Sequence, residues 1–347
     1  MSQMGQTADH PDQARQIEVL SFGEALVDFV PEQTGVKLRH VARFTKCQGG
    51  APANLALGIA KLGGRSALMC KVGMDEFGHF LRASLQDAGV DVEGVVQGAG
   101  ARTGITFVEI DERGERSFLF YRHPSADMTI EAHEVDLSVV ARSRIVHSGT
   151  NLMTWPSSRL ANLKVLEEAR RLRRLVSLDA NIRLHQWPDP AKALEEVLYL
   201  LTLSDLFKAN DEELALICGT TDGRKAFDEV LAPRGVSALL QTHGEHGSTV
   251  FTARLTHHEP APPVHAVDTT GAGDAFLAGL LRGLSLHLQA WPTEGLVEGL
   301  RSLRAEDWSA ALKLGNLTGS AVCACFGATT GMPSRADVPW GALGFSS

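Results

Sequence analysis

The stretch DTTGAGDAF, residues 268–276, brings small residues and a carboxylate to one point of the chain. Before it, VHAV (264–267) has the character of a strand, and after it LAGLLRGLSLHL has the leucine spacing of a helix. The pattern predicts a tight turn that opens a helix, with Asp274 in its first turn. Free backbone amides at a helix start, together with the helix dipole, favour an anion such as phosphate.

Asp274 is the unusual member of this turn. A carboxylate in a first helical turn is often only a favourable partner of the helix dipole. Here it follows Gly271, Ala272 and Gly273, whose backbone a ligand can approach closely. A base that takes a hydroxyl proton while amides hold the transferred anion performs phosphoryl transfer to an alcohol. We therefore interpret Asp274 as a general base and the three small residues as an anion hole.

A second small-residue turn, QGGAPANLALGIAKLG (48–63), also precedes a helical pattern. Gly49 and Gly50 allow a close backbone approach, and Asn54 lies one helical turn further on. From the residues alone, ligand contact and tight helix–sheet packing are equally good explanations, because glycine and alanine serve both.

Short apolar runs alternate with helical patterns along most of the chain. SALMCKVG, SRIVHSG, LVSLDAN and DLFKAN are strand-like runs of this kind. Such alternation predicts an α/β fold with a central, mostly parallel sheet between helices. Ligands of open α/β sheets gather beyond the carboxyl ends of the strands, so the two turns are expected at that edge.

Two segments break the alternation. VKLRHVARF (36–44) alternates apolar and polar residues, and TGITFVEIDERGERSFLFYR (103–122) reads as two strands joined by a DERG turn. No helix follows either segment. We predict a small antiparallel β lid, carried by segments of about 30–46 and 100–124, and an antiparallel edge of the main sheet is the alternative.

Composition bounds the class of protein. The chain has 347 residues, 44% of them hydrophobic and 21% charged, which is typical of a soluble globular protein. A formal net charge of −8 gives no electrostatic footprint for nucleic acid. The five cysteines are odd in number and irregularly spaced, so no disulfide framework is expected. Residues 1–15 are polar and no run is long enough to span a membrane, so we expect a flexible N-terminal tail on a cytoplasmic protein.

The motifs together resemble the ribokinase-like (PfkB) carbohydrate-kinase family. GGAPANLALGIAKLG and DTTGAGDAF are similar to its two signatures, in the expected order, and KANDEEL, THGEHGS and GATTGMPS are similar to shorter family elements. The resemblance covers roughly residues 17–335. It implies one kinase domain over 16–335 with a β lid and a C-terminal tail over 336–347. The implied reaction is transfer of the γ-phosphate of ATP to a sugar hydroxyl with the help of Mg²⁺.

The resemblance also implies a role for individual residues. For ATP it implies contacts from Asn210, Thr242, Gly244, Gly247 and Asn316. For the sugar it implies contacts from Asp28, Gly49, Gly50, Asn54, Arg122 and Arg183. Glu213 would hold Mg²⁺ through water, while Asp268 and Thr270 match positions of a site for a monovalent cation such as K⁺. Many relatives dimerise, so a homodimer is the expectation for this chain.

Several of these residues have a plainer explanation when the resemblance is set aside. NDEE (210–213) is best explained as a helix start capped by Asn210, and THGEHG (242–247) as a hairpin turn. Arg122 and Arg183, each considered without the resemblance, are best explained as surface residues. Asp28 is different, because a lone aspartate in an apolar run is costly to bury without a polar partner. The THGEHGS stretch departs at His243 from the leucine-containing form that is commoner in the family. We expect this difference to be a neutral change at the surface.

Two stretches point to the substrate within the family. FYRHPSADM (120–128) and DANIRLHQW (179–187) look most like fructokinases, which implies D-fructose phosphorylated to fructose 6-phosphate. A 2-keto-3-deoxygluconate kinase shares the arginine positions and is the close alternative. A non-catalytic sugar- or nucleotide-binding relative is the alternative of another class, which retention of Asp274 with its glycines disfavours.

Overall fold

A computed structural model describes residues 16–112, 116–122, 124–187 and 189–345 of the chain. Its strands in chain order are β1 Ile17–Phe22, β2 Leu26–Pro31, β3 Phe44–Gly49, β4 Ser66–Gly73, β5 Val95–Gly98, β6 Ile105–Ile110, β7 Arg116–Tyr121, β8 Ser143–Gly149, β9 Leu175–Asp179, β10 Leu206–Asn210, β11 Ala238–Thr242, β12 Ser248–Thr252 and β13 Thr256–Glu259. Its helices are α1 Ala51–Lys61, α2 Glu76–Asp87, α3 Leu137–Ala141, α4 Pro156–Arg171, α5 Pro190–Leu201, α6 Asp211–Cys218, α7 Gly223–Ala226, α8 Ala272–His287, α9 Leu296–Ser302, α10 Ala305–Cys323 and α11 Trp340–Leu343.

The main sheet contains nine of the described strands, in the order β13-β12-β11-β10-β9-β8-β1-β4-β5. Neighbours from β5 to β11 run parallel, while β11, β12 and β13 are joined as antiparallel hairpins. Helices pack on both faces, so strands such as β1 and β9 are buried along their whole length. The strand–helix alternation of the sequence therefore predicted the class of fold correctly.

A second, four-stranded sheet forms the lid, in the order β3-β2-β6-β7. The β2–β3 and β6–β7 pairs are antiparallel, and β2 pairs with β6 in parallel. Aromatic rings pack along it: Phe29 stacks on Phe107 with ring centroids 5.2 Å apart, and Phe44 and Tyr121 meet Phe107 edge-on. Such contacts hold the four strands together as one sheet.

Two strand predictions are wrong. Residues 36–44 form a loop with a 3₁₀ turn at Leu38–His40, and only Phe44 belongs to a strand. Residues 264–267 contain no strand, because the Val267 amide donates to the carbonyl of Cys323 at the end of α10 instead of to a sheet neighbour. In both segments the backbone makes other contacts in place of those of a sheet, and Val264 and Val267 remain exposed.

The two ends of the chain were both predicted to be tails. The predicted N-terminal tail lies outside the described residues, as do 113–114 of the predicted DERG turn. Of the predicted C-terminal tail, residues 336–345 pack onto the domain, with Val338 and Phe345 buried beside Ala310 and Leu314 of α10. No helix within the described ranges has both the length and the apolar character that a bilayer span requires.

A close helix contact inside the fold yields a stability prediction. A Cβ atom added to Gly58 of α1 would lie 2.6 Å from Ala278 Cβ of α8 and 2.6 Å from Met332 Cε. We expect Gly58→Val to force α1 away from α8 and to lower the free energy of unfolding by about 1–3 kcal/mol in denaturant titrations. Gly100→Val is the matched control, because nothing lies within 4 Å of a Cβ there. Equal unfolding free energies for the two variants would contradict this packing.

Candidate active site

The site begins at the start of α8. Gly271 precedes the helix with φ 76°, a left-handed conformation that favours glycine, and a Cβ there would lie 2.7 Å from Ala328 Cβ. The Ala275 amide donates to the Gly271 carbonyl, while the Ala272 amide turns back to Thr269 O at 3.2 Å. A helix start leaves the amides of Gly273 and Asp274 without partners inside the helix. They are therefore the donors available to an anion here, and Ala272 is less free than the sequence suggested.

Asp274 lies against Asn54 of α1, so the structure brings the two glycine-rich turns together. The Asn54 side-chain amide donates to Asp274 Oδ2 at 2.9 Å, across 220 residues of sequence. Burial raises the pKa of Asp274 to about 6, a change that the Asn54 hydrogen bond opposes and the charge of Asp179 reinforces. A carboxylate with this pKa is ionised at neutral pH and can accept a proton.

The predicted sugar residues meet Asp274 in one cleft of about 170 Å³. Asp28 on β2 lies directly over Gly49, where a Cβ would come 2.1 Å from its carboxylate oxygen. Gly50 has φ 96° and lies against the backbone of Glu24. Burial raises the pKa of Asp28 to about 7, and the negative charge of Asp274 adds to the rise. The cleft lining includes Asp28, Gly50, Asn54, Arg122, Arg183, Thr270, Gly271, Gly273 and Asp274.

The two arginines of the cleft are not equivalent. Arg122 is buried and forms an ion pair with Asp127, whose other oxygen accepts from Ser125, and its Nη1 donates to Gln186 Oε1 at 3.1 Å. Within the described residues, Arg183 donates to Asn181 alone, through Nη1 to Oδ1 at 2.8 Å and weakly to the Asn181 carbonyl. Arg183 is therefore the arginine with donors left for a ligand, whereas the charge of Arg122 is already paired.

Lys208 was not predicted from the sequence, although it lies at the centre of the site. It is buried on β10, with its Nζ 3.0 Å from Asp179 Oδ1 on the neighbouring strand and 3.2 Å from the position of a Cβ on Gly273. Burial opposes its charge, yet the carboxylates of Asp179 and Glu213 raise the pKa of Lys208, so it is a cation. A buried lysine within an apolar run such as DLFKAN is rarely without a partner, and that signal could have identified it.

Four of the residues predicted to contact ATP lie at the carboxyl ends of adjacent strands. Asn210 and Thr242 are direct neighbours in the β10–β11 register. Asn210 caps α6 in a capping box, with its Oδ1 accepting from the Glu213 amide at 2.8 Å. Gly244 and Gly247 have φ 58° and 98° in the β11–β12 turn. The helix-cap and hairpin explanations of these motifs are thus both correct, and they leave the ATP roles as predictions.

Asn316 and His243 are held by internal hydrogen bonds. Asn316 on α10 accepts from Ser248 Oγ at 2.9 Å and donates to Glu259 O at 2.9 Å, which fixes α10 to β12 and β13. His243 does not lie free at the surface as expected. Its Nδ1 is 2.9 Å from Asp211 Oδ1 and its Nε2 is 2.9 Å from Thr249 Oγ1, so it bridges the start of α6 and β12.

The acidic residues near the nucleotide side fit Mg²⁺ only as outer ligands. Both oxygens of Glu213 already accept backbone amides, from Ile182 at 3.1 Å and Asn210 at 2.9 Å. Burial raises the pKa of Glu213, while the charge of Lys208 lowers it. The described residues contain no group of three or more His, Cys, Asp or Glu that could hold a metal directly. A magnesium ion that keeps its waters is compatible with this arrangement.

Asp268 does not fit the monovalent-cation site that the resemblance implies. Its Oδ1 accepts from the Thr270 amide at 2.9 Å, and its Oδ2 accepts from the Gly327 amide at 2.6 Å. Arg116, at the start of lid strand β7, places Nη2 2.6 Å from the same Oδ2. Both side chains are buried, so the guanidinium supplies the positive charge that Asp268 needs.

These features are the ones that a phosphotransferase of the ribokinase-like fold requires: a candidate base, a helix start that can accept an anion, and a lid. The chain belongs to the pfkB family of carbohydrate kinases, whose model matches residues 16–335. A protein of Arabidopsis thaliana described as probable fructokinase-4 is 37% identical over 323 residues, which cover 92% of this chain and 95% of that protein.

Solved structures give the same family. Fructokinase with bound ATP from Xylella fastidiosa is 29% identical, with a TM-score of 0.83 and coverage of 94% of this chain and 97% of that one. Fructokinase from Vibrio cholerae O395, in its fructose-, ADP- and calcium-bound form, is also 29% identical, with a TM-score of 0.79 and coverage of 95% and 98%. The predictions of family, fold and kinase class are thereby confirmed.

The Arg116–Asp268 pair yields a prediction about monovalent ions. We expect replacement of K⁺ by tetramethylammonium to leave the thermal unfolding midpoint of the protein unchanged, because Arg116 already occupies the carboxylate. Arg116→Met should lower the free energy of unfolding by about 3–5 kcal/mol, since it leaves a buried charge unpaired, and K⁺ should then restore part of the loss.

Lys37→Met is the control for loss of a lid cation, because Lys37 pairs with Glu109 at the exposed face. Its midpoint should match that of the parent protein in both salts. A midpoint of the parent protein that rises with K⁺ and not with tetramethylammonium would contradict the assignment of Arg116.

Proposed function

We propose that the protein is an ATP-dependent fructokinase, which transfers the γ-phosphate of ATP to D-fructose and forms fructose 6-phosphate. The observation that carries the proposal is the contact of Asp274 with Asn54 in a cleft that also contains Asp28, Gly273 and Lys208. A base, a sugar-binding carboxylate and an anion-binding cation thus meet in one place. The family and the curated relatives support the same reaction.

Different residues bind the sugar, accept the proton and stabilise the transferred phosphoryl group. Asp28 and Asn54 hold sugar hydroxyls and Arg183 adds donors, so that a primary hydroxyl points at Asp274. Asp274 accepts the proton of that hydroxyl as the hydroxyl oxygen bonds to the γ-phosphorus; the bond from the γ-phosphorus to the β–γ bridging oxygen breaks, and ADP leaves. The amide of Gly273 and the ammonium of Lys208 stabilise the negative charge on the phosphoryl group in transfer.

We infer that ATP binds at the edge formed by β10 and β11. Asn210, Thr242, Gly244 and Gly247 lie there, and Asn316 stands behind them on α10. Mg²⁺, held through water near Glu213, supplies charge neutralisation on the phosphates when it is bound. The roles of these residues remain predictions.

Fructose is favoured over the keto acid by the pairing of Arg122. A substrate carboxylate is best held by a free guanidinium fork. Arg122 already pairs with Asp127 and donates to Gln186, so it is neutralised before a ligand arrives. Arg183 alone would have to bind the carboxylate, while the neutral hydroxyls of fructose suit Asp28, Asn54 and Arg183 together.

We also propose a cytoplasmic homodimer. The cytoplasmic location is supported by the five cysteines, all of which are free thiols, as is usual in a reducing compartment. The dimer is supported by β7, an edge strand of the lid sheet whose Leu119 and Tyr121 are 47% and 61% exposed. An edge strand with exposed apolar side chains is a ready surface for a second copy of the chain.

The sugar specificity is tested by ADP release with ATP and four acceptors: fructose, 2-keto-3-deoxygluconate, ribose and adenosine. We expect the highest kcat/KM for fructose. A clear preference for the keto acid would overturn the fructose assignment and leave the kinase intact. If no acceptor is turned over while sugar and nucleotide still bind, the protein is instead a binding module.

The role of the base is tested by Asp274→Asn. We expect kcat to fall by roughly 10²–10⁴-fold, because the variant loses the proton acceptor and keeps the amides of the helix start. Its affinity for ATP, measured by calorimetry, should remain close to that of the parent protein. Turnover near the parent value at saturating fructose would make Asp274 a structural residue.

The pH dependence of kcat follows from the pKa of Asp274. Only the ionised carboxylate accepts a proton, so kcat should rise with pH through about 6. Asn54→Leu removes the hydrogen bond that lowers the pKa of Asp274. The rise of kcat with pH, which is the acidic limb of the pH–rate profile, should therefore move to higher pH.

The matched control is Asn162→Leu, which removes a buried asparagine on α4 that bonds Ser148 and Met153 instead. Its acidic limb should coincide with that of the parent protein. An unmoved limb in Asn54→Leu would show that Asn54 does not tune the base.

A further inference from the structure

A second cavity, of about 520 Å³, lies at the opposite edge of the main sheet from the cleft. It is bordered by the start of β1, the turn after α1, the start of β8 and the last turns of α8. The cavity reaches Ser285, which is about 16 Å along α8 from Asp274 at 1.5 Å per residue. None of the residues assigned to sugar or nucleotide lines it, so it is separate from the active site.

The lining is strongly basic. Arg65, Arg144, Arg282 and Arg335 surround the cavity, and Glu18 is the acidic residue among the described residues that line it. Four guanidiniums against one carboxylate give a formal charge of +3, in a chain whose net charge is −8. Such a concentration of one sign of charge in a concave site raises the local concentration of the opposite ion.

Glu18 satisfies only part of this charge. Its Oε2 accepts from Arg282 Nη1 at 2.6 Å and from Ser285 Oγ at 3.2 Å, and its Oε1 lies 3.6 Å from Arg65 Nη2. Arg282 is only 8% exposed, and its Nε is buried without a hydrogen-bond partner. A buried donor without a partner costs free energy that an incoming acceptor would recover.

The remaining arginines also have donors to spare. Arg144 uses Nη2 for the carbonyls of Leu288 and Trp291, at 2.7 and 3.0 Å, and has no carboxylate within ion-pair distance among the described residues. The guanidinium of Arg335 makes no hydrogen bond or ion pair within the described ranges, and its chain lies over Gly63. Burial lowers the pKa of both Arg144 and Arg282, and neighbouring arginines add to that change in each case.

We propose that this cavity is a binding site for a phosphate-bearing anion, distinct from the site of phosphoryl transfer. Guanidinium forks match the oxygens of phosphate, and several of them can bind one group in a bidentate manner. The volume lies within the range of pockets that hold small metabolites, so a phosphate ester fits as well as free phosphate. Near neutral pH the ligand brings a charge of about −1.5 to −2 to a lining of +3.

The test titrates inorganic phosphate into the full-length protein by isothermal calorimetry at low ionic strength. The double variant Arg144→Lys with Arg335→Gln removes the forks that lack a carboxylate partner and leaves the buried Glu18–Arg282 pair in place. We expect it to bind phosphate at least about tenfold more weakly, because it loses charge-assisted hydrogen bonds to the anion. Its KM values for ATP and fructose should stay within about twofold of the parent values.

The matched control is Arg301→Gln, which removes an exposed arginine of α9 that bonds Ser237 outside the cavity. It should bind phosphate as the parent protein does. The single variant Arg335→Gln, at an exposed side chain, provides a second measurement if the double variant unfolds, and it should also weaken binding.

Glycerol 3-phosphate, titrated in parallel, separates the two sources of the anion. Tighter binding of the ester indicates a phosphorylated metabolite, and equal binding indicates phosphate itself, so that either result supports the site. Absence of binding to the parent protein would overturn the proposal. Equal phosphate affinity in the parent protein and the double variant would do so too, because the ion would then sit elsewhere, as at the start of α8.

Discussion

The left-handed backbone of Gly271 is the constraint on which the site depends. It turns the chain from the loop after β13 into α8 and points the first amides of the helix at the cleft. Ala328 fills the space where a side chain would be, so no other residue could adopt this turn without moving the segment after α10. The direction of α8 in turn sets the position of Asp274 against α1.

Electrostatic balance explains why so many charges can be buried around this turn. The negative charges of the carboxylates Asp28, Asp179, Glu213 and Asp274 interact electrostatically with one another, and the positive charges of Lys208 and Arg183 offset part of that repulsion. Lys208 pairs directly with Asp179, whereas Asp274 has only a neutral amide as its hydrogen-bond donor. Burial raises the pKa of Asp274 to about 6 and its neutral partner only partly opposes that rise, whereas the carboxylates of Asp179 and Glu213 keep Lys208 charged.

The sequence was most informative where local pattern and tertiary role coincide. SALMCKVG and SRIVHSG are strands over their full length, and both glycine-rich turns open helices as predicted. It was least informative where a contact joins distant segments. Arg116 appears as an ordinary cation in the chain, and Lys208 differs from one only by its place in an apolar run. Their partners lie 152 and 29 residues away.

The lid also shows where sequence pattern is ambiguous. Residues 103–122 contain two strands, as predicted, whereas residues 36–44 form a loop. Alternation of polar and apolar residues does not distinguish the two, because it also arises in loops that touch a surface on one side. The lid strands β2 and β3 lie on either side of that loop. Strand β2 was visible as an apolar run, although nothing local assigned it to the lid rather than to the main sheet.

The lid sheet is joined by direct contacts to the turn that leads into α8. Aromatic packing links the four lid strands, and Arg116 pairs β7 with Asp268, which accepts from the amides of Thr270 and Gly327. Any movement that lifts this corner of the lid must therefore separate the Arg116–Asp268 pair and rehydrate two buried charges. If the lid closes over a sugar, as we propose, the same pair would fix the loop before α8 while water is excluded from the cleft.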